Sequence, residues 1–337
     1  MNTGLKITAF AAAVAATFGT AYGVGKGVDP VTSQKKPASE HGGHGGGEEA
    51  AAGEKGEKQG GGHAAEVPGG LQISERGYTL DLKTARVDAE KREQLRFTIV
   101  RDGGGKDGTG KGSTGKNVTA YEKEHDKELH LIVASRDLTT YRHLHPSRAA
   151  DGTWSTPVEL PEAGGYRVFA DFKPKGAKEG LTLGADLAVA GKYAPAGLPA
   201  HNTKASVDGY EVGLKGELKP GKSAGLTLNV SKNGKPVTDL QPYLGSYGHL
   251  VALRSGDLAY LHVHPTGEPG DGRTKPGPGV SFQATAPSAG AYRLFLDFKH
   301  EGKVRTAAFT VHAGGSAGGA DAGGGETAES GDSGHAH

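Results

Sequence analysis

The strongest constraint on this fold is an internal duplication in the middle of the chain. Residues 118–146 align without gaps to residues 237–265, at a constant offset of 119 positions. A second gapless block pairs residues 161–173 with residues 287–299. One unit of about 110 residues is therefore present twice in tandem, and the chain must fold by using that unit two times.

Each unit has the pattern of a β domain. Segments such as 95–100 and 226–230 alternate apolar and polar residues, and turn residues recur every ten positions or so. Seven or so short strands per unit predict an all-β chain of two tandem immunoglobulin-like sandwiches, with a cupredoxin-like sandwich as the alternative. Tyr166 and Tyr292 each follow a glycine at a strand start, which predicts a tyrosine corner in both units.

The segments that flank the duplication differ from it in composition. Residues 7–24 are apolar and uncharged, which predicts a hydrophobic helix that serves as a signal peptide or an anchor and places the protein outside the cytoplasm, secreted or tethered to the membrane. Gly-rich runs without periodicity predict disordered arms. The predicted division is 1–24 signal peptide or anchor, 25–67 His/Gly-rich tether, 68–192 first sandwich, 193–204 linker, 205–313 second sandwich and 314–337 Gly-rich tail.

The amino-acid composition excludes several classes of protein. The chain has no Cys, so disulfides, thiolate metal sites, iron–sulfur clusters and Cys nucleophiles are excluded. Its formal net charge of +1 argues against nucleic acid as a partner, because phosphate recognition needs clustered positive charge. Ser-elbow, Walker and dinucleotide motifs are lacking as well, and the sequence predicts a protein that is not an enzyme.

One histidine pattern occurs in both units and carries the predicted chemistry. A single His is followed 13 residues later by His-x-His-Pro, and the residues are His130, His143 and His145 in the first unit and His249, His262 and His264 in the second. Residues i and i+2 of a strand share a face. A hairpin turn centred on Arg136-Asp137 would place His130 opposite His143, and the same register in the second unit pairs His249 with His262. The pattern thus predicts three imidazoles on one face of each unit.

Such triads suit a divalent metal ion bound by neutral nitrogen, either Cu(II) or Zn(II). The same register predicts Glu128 and Tyr247 as second-shell groups, since they lie opposite His145 and His264. The alternative is that the histidines are structural, buried between the sheets and hydrogen-bonded to backbone.

A second feature common to both units is an Arg and an Asp four residues apart on one strand. The pairs are Arg167 with Asp171 and Arg293 with Asp297. We expect them to form structural ion pairs at the sheet margin, with an anion or partner contact as the alternative.

The segments ELHLIVASRDLTTYRHLHP and GHLVALRSGDLAYLHVHP resemble those of exported bacterial proteins that have a hydrophobic N-terminus, a His/Gly-rich spacer and a duplicated β domain. Members of that group are often labelled secreted or heavy-metal-associated, which implies an extracytoplasmic metal-binding protein. Its expected role is buffering, sequestration or delivery of the ion through one three-His site per unit, with envelope or membrane metal-handling proteins as partners. The alternative function is a tethered, non-enzymatic module for adhesion or protein interaction.

Overall fold

The computed structural model describes residues 67–103, 115–261 and 263–315. All regular elements in this part of the chain are strands, as expected. Those of the first repeat are β1 (Ser74–Glu75), β2 (Tyr78–Leu82), β3 (Arg86–Asp88), β4 (Arg92–Arg101), β5 (Lys116–Asn117), β6 (Tyr121–Glu122), β7 (Leu129–Ser135), β8 (Tyr141–Leu144), β9 (Ser147–Arg148), β10 (Thr153–Glu159), β11 (Gly164–Pro174) and β12 (Leu181–Ala190). Those of the second are β13 (Lys204–Val207), β14 (Tyr210–Lys215), β15 (Ser223–Lys232), β16 (Lys235–Pro236), β17 (His249–Arg254), β18 (Tyr260–Leu261), β19 (Val263–Pro265), β20 (Gly279–Thr285), β21 (Gly290–His300) and β22 (Lys303–Ala313).

The strands of each repeat form a two-sheet sandwich. In the first repeat one sheet has the order β1-β2-β4-β10-β9 and the other the order β3-β12-β11-β7-β8, where β3 runs parallel to β12. In the second repeat the sheets are β13-β14-β15-β20-β19 and β18-β17-β21-β22. This is the immunoglobulin-like architecture that the sequence predicts, used twice.

A hydrophobic core fills the space between the two sheets of each repeat. Phe97, Leu131 and Phe172 are among its members in the first repeat, and Leu228 and Phe298 in the second, all nearly inaccessible to solvent. Each core results from period-2 alternation, which directs every second side chain of a strand between the sheets.

Both predicted tyrosine corners are present. The Tyr166 hydroxyl donates to the carbonyl of Glu162 over 2.9 Å, and the Tyr292 hydroxyl donates to the carbonyl of Ser288 over 2.8 Å. Each bond fixes the entrance to the long central strand, β11 or β21, that carries residues of the shared face described next.

A third hydrophobic cluster joins the two repeats. The sheet that contains β7 and β11 packs its outer face on the sheet that contains β17 and β21, so the central strands are buried on both sides. The Tyr141 ring stacks on the Phe295 ring with centroids 4.1 Å apart, and Tyr260 and Phe169, in matching positions, lie 5.8 Å apart. The repeats therefore meet through equivalent surfaces, in the manner of a two-fold interface.

Residues 69–72 reinforce this junction from the N-terminal side. The Arg167 guanidinium donates to the carbonyls of Gly70 and Leu71, and the amide of Tyr260 in the second repeat donates to the carbonyl of Gly69. Gly184 permits this close approach, because a Cβ there would lie 2.0 Å from the Gly70 oxygen. Arg167 forms its ion pair with Asp186, so the expected pairing with the aspartate four residues away is wrong.

In both hairpins each residue pairs with a partner two positions later than predicted. The structure pairs Ile132 with His143 and Ala252 with Leu261, so both turns are centred one residue later than expected. In the first repeat the Asp137 carboxylate accepts the Thr139 amide and shapes this later turn. A shift of two in the pairing leaves every side chain on its original face, so His130 and His143 still meet.

The predicted hydrophobic helix and the two predicted arms lie outside the described residues. Within the described ranges, no helix has the length and apolar character needed to cross a membrane. The described chain thus consists of the two sandwiches and the segments that join them.

Candidate metal centre

The histidines collect at one end of the interface between the repeats. His130 projects from β7 toward the second repeat, because its neighbours Leu129 and Leu131 face the first core. His143 lies on the adjacent strand β8, and His145 follows two residues later at the point where the chain crosses to the other sheet. His249, at the start of β17, approaches from the second repeat.

Equivalent residues of the two repeats face each other here. The rings of His130 and His249, which occupy matching positions, are stacked at 5.4 Å with an interplanar angle of 10°. His143 lies 5.3 Å from His130 and 4.6 Å from His249, measured between ring centroids. The predicted triad of the first repeat, His130, His143 and His145, is thus close together, and His249 of the second repeat lies against it.

The hydrogen-bond partners define which nitrogen of each ring carries a proton. His130 Nε2 lies 3.0 Å from the carbonyl oxygen of Glu124, an obligate acceptor, so this nitrogen carries the proton. His143 Nδ1 lies 2.8 Å from Asp297 Oδ2, and the His143 side chain is 3% exposed and that of Asp297 2% exposed. The Asp297 carboxylate thereby assigns the proton to Nδ1 of His143, the arrangement found behind metal-bound histidines.

These two assignments direct two nitrogen lone pairs at each other. His130 Nδ1 and His143 Nε2 are 3.1 Å apart, and each belongs to a ring whose other nitrogen already donates. Lone pairs that face each other in this way repel, and a proton or a metal cation between the two nitrogens turns the repulsion into attraction. With metal–nitrogen bonds of about 2.05 Å, the nitrogen–metal–nitrogen angle would be roughly 100°. This value lies between the ideal square-planar and tetrahedral angles.

Two further nitrogens lack a partner among the residues that the structure describes. His145 Nε2 and His249 Nδ1 are buried and make no hydrogen bond in the structure. Orphaned buried polar atoms are rare and costly, typically by about 1–3 kcal/mol each. Ligand atoms of His130, His143 and His145 lie within 4.8 Å of one another, as do those of His143, His249 and Asp297.

Burial keeps these imidazoles neutral. Desolvation, with the neighbouring imidazoles as a smaller cause, lowers the pKa of His130 to about 3 and that of His145 to about 4. The same causes lower the pKa of His249 well below its usual value. Neutral imidazole is the form that binds metal, so these rings need lose no proton at neutral pH before they bind.

The ring separations match those of imidazoles around a shared ion. Two imidazoles bound to one metal at 90–109° have centroids roughly 4.5–5.2 Å apart, given metal–nitrogen bonds of about 2.05 Å. Four of the five pairs that involve His143 or His145 among His130, His143, His145 and His249 have centroids 4.6 to 5.3 Å apart, and the fifth, His145 with His249, is not a ring contact among them. The ligand atoms of His130, His143 and His145 are therefore close enough together to hold a metal ion.

Other predicted site residues have different surroundings. His264 is exposed, because β19 pairs with β20 and carries this residue to the opposite sheet. Glu128 accepts from the Arg148 guanidinium, and Tyr247 packs against the second core. His262 lies outside the described residues.

The sequence interpretation missed three residues near the cluster. Asp297 was expected to pair with Arg293, whereas it binds His143 and accepts the Thr306 hydroxyl. The Tyr243 ring lies 6.5 Å from His143, and His125 contacts both His130 and His249. Asp297 shares a face with the cluster by strand alternation, but only the packing of the two repeats brings it to His143.

Comparison with solved structures finds distant similarities to multidomain proteins. The titin A168–A169 fragment is 8% identical, with 70% of this chain and 96% of that one covered and a TM-score of 0.18. A putative membrane anchored protein from Corynebacterium diphtheriae is 9% identical (72% and 59% covered, TM-score 0.21), and the FN1–FN3 domains of chicken CNTN1 are 11% identical (73% and 68%, TM-score 0.18). Scores of this size carry no functional argument.

Sequence comparison supplies the family. No curated protein sequence matches the chain. Residues 73–187 and residues 205–315 each match one family, in agreement with the duplication and with the two sandwiches of the structure. The chain is thus a member, twice over, of the family described as a domain of unknown function (DUF8832).

Proposed function

We propose that this protein binds a divalent metal ion, Cu(II) or Zn(II), in one histidine centre shared by its two repeats. The nitrogens offered are His130 Nδ1, His143 Nε2, His145 Nε2 and His249 Nδ1. The carrying observation is the 3.1 Å approach of His130 Nδ1 and His143 Nε2, in two rings whose other nitrogens face acceptors. Imidazole-only ligation excludes the thiolate-dependent electron-transfer sites and suits storage or transfer of the ion.

The surroundings of the cluster support this function. The Asp297 carboxylate and the Glu124 carbonyl orient two of the ligands and supply negative potential behind them. The protein's role, on this view, is buffering, sequestration or delivery of the metal, without catalysis. With the apolar N-terminal segment, we place this activity outside the cytoplasm, where the protein is secreted or tethered to the membrane and metal-handling envelope proteins are its partners.

A non-enzymatic module for adhesion or protein interaction, with structural histidines, is the competing function. The bonds from His130 to Glu124 and from His143 to Asp297 agree with it, since structural histidines are hydrogen-bonded. That function leaves the buried nitrogens of His145 and His249 without an explanation. The metal hypothesis accounts for both.

Metal titration of the full chain separates a shared centre from one site per repeat. We expect one tightly bound Zn(II) or Cu(II) per chain by calorimetry and by metal analysis after dialysis. His145→Ala in the first repeat and His249→Ala in the second should each weaken that ion by about 100-fold or more, because each removes one of four nitrogens. His201→Ala, outside the cluster, is the matched control and should bind normally.

Two results would overturn the proposal. Two tight ions per chain, of which His249→Ala abolishes only one, would show separate sites. Absence of any ion bound more tightly than the weak background of the His-containing arms would favour the interaction module.

A further inference from the structure

An open pocket of about 350 Å³ adjoins the histidine cluster at the junction of the repeats. Its lining includes His125 from the first repeat and His264, Glu268 and Asp271 from the second. None of these residues belongs to the four proposed ligands. The pocket opens to solvent, whereas the ligand nitrogens of His145 and His249 are buried.

His125 stands between the pocket and the cluster. Its ring lies edge-on to His130 at 6.0 Å and to His249 at 5.9 Å, measured between centroids. His125 also lines the pocket. An ion bound to His125 would therefore lie close to the rings of both His130 and His249.

The backbone fixes His125 in this place. Residues 124–127 form a tight turn closed by reciprocal bonds between Glu124 and Lys127, and His125 takes the left-handed conformation with φ of 50°. Histidine adopts that region more readily than most residues, but it remains uncommon outside glycine. The carbonyl of Glu124 in this turn also accepts the proton of His130, so the turn is tied directly to the cluster.

The second repeat shows that folding of the turn does not require an imidazole. The equivalent turn, closed by Tyr243 and Ser246, has Leu244 in the matching position with φ of 55°. Leu244 is 6% exposed and packs into the protein, whereas His125 lines a pocket. Of these two equivalent turns, the one that lines the open pocket therefore carries the imidazole.

Two carboxylates give the pocket a negative rim. The Asp271 carboxylate accepts the amides of Glu268, Arg273 and Thr274, and these bonds fix it within the loop that lines the pocket with His264. Hydrogen bonds from the Thr274 side chain and amide lower the pKa of Asp271, so it remains charged. Negative charge at the mouth of a cleft raises the local concentration of cations.

We propose that this pocket is a capture vestibule, in which His264, Glu268 and Asp271 collect a hydrated divalent cation that His125 then passes to the buried histidines. This proposal rests on the proposed metal function and assigns His125 a kinetic role. A residue on the path changes how fast the ion arrives and leaves, whereas a resident ligand changes how tightly it stays.

The test is the rate of Zn(II) transfer between a chromophoric chelator and the full chain, measured by stopped flow in both directions. His125→Leu copies the residue of the equivalent turn, so the variant should fold, which thermal unfolding verifies. We expect uptake and release both to slow by at least about fivefold while Kd stays within about twofold of wild type. His201→Ala is the matched control, with unchanged rates.

The outcomes separate the two proposals. Unchanged rates in His125→Leu would overturn the vestibule, and so would faster release with weaker affinity, because that result makes His125 a resident ligand. Both results leave the metal function intact as long as the wild-type chain binds Zn(II) and His249→Ala binds it about 100-fold or more weakly. A wild-type chain that binds no Zn(II) removes both proposals together.

Discussion

Replacement of Asp297 by Asn separates metal binding from folding. The Asp297 carboxylate accepts His143 Nδ1–H at 2.8 Å and also accepts the Thr306 hydroxyl. An Asn in this position keeps the bond from Thr306 through its oxygen and presents its NH₂ group to His143. His143 then moves its proton to Nε2, where it donates to His130 Nδ1 at 3.1 Å.

The two readouts of Asp297→Asn should therefore diverge. Metal affinity falls by about 10- to 100-fold, or about 1.4–2.8 kcal/mol, because the nitrogen that faced the ion now carries a proton. The metal-free protein gains a hydrogen bond worth about 1 kcal/mol and loses a buried carboxylate, so its melting temperature stays equal or rises. Asp297→Ala is the matched comparison, because it leaves the Thr306 hydroxyl and a His143 nitrogen unpaired and loses about 1–3 kcal/mol per group.

The assay is calorimetric Zn(II) titration beside thermal unfolding in the presence of a chelator. Asp297→Asn that binds Zn(II) as tightly as wild type would refute the tautomer assignment. A loss of about 3 kcal/mol or more from the metal-free Asn variant would refute it in another way, since it would show a buried ion pair that stabilises the fold.

The remaining predictions concern pH and packing. Because burial lowers the pKa of His130 to about 3 and that of His145 to about 4, the unfolded chain binds more protons than the folded one between about pH 4 and 6.5. Stability of the metal-free protein should therefore fall as pH decreases through that window, by about 1.4 kcal/mol per pH unit near pH 5 from His130 alone; denaturant unfolding that is flat over this range would contradict it. Phe295→Ala should cost about 3–5 kcal/mol and also weaken metal binding, because it removes the ring that stacks on Tyr141 between the repeats. Phe309→Ala, in the second core, should lower the melting temperature similarly yet leave metal affinity unchanged, and equal affinities in the two variants would argue against coupling of the interface to the centre.

Much of the fold follows from local pattern. Period-2 alternation and tandem similarity are enough to predict two all-β sandwiches, and the glycine before Tyr166 and Tyr292 is enough to predict the corners. The turn centre was wrong by one residue, because the bond from the Thr139 amide to Asp137 depends on loop geometry that alternation does not encode. The face of His130 was correct nonetheless, since a two-residue shift preserves parity.

The shared character of the histidine centre could not be read from the sequence. Repetition of one motif suggests two equal sites, whereas the packing of outer sheet faces brings His130 against His249 and Asp297 against His143. Contacts of this kind join residues more than 100 positions apart in the chain. These contacts depend on how the two sandwiches pack against each other. The alternation of apolar and polar residues does not predict that packing.

The face-to-face packing of the repeats has a consequence for what the rest of the surface can do. The sheets that contain β7 with β11 and β17 with β21 cover each other, and Ile132, Phe169, Val251 and Phe295 are inaccessible to solvent. An external protein could bind these faces only if the two sandwiches separated first. The outer faces of the sheets built on β4 with β10 and on β15 with β20 remain outside this junction.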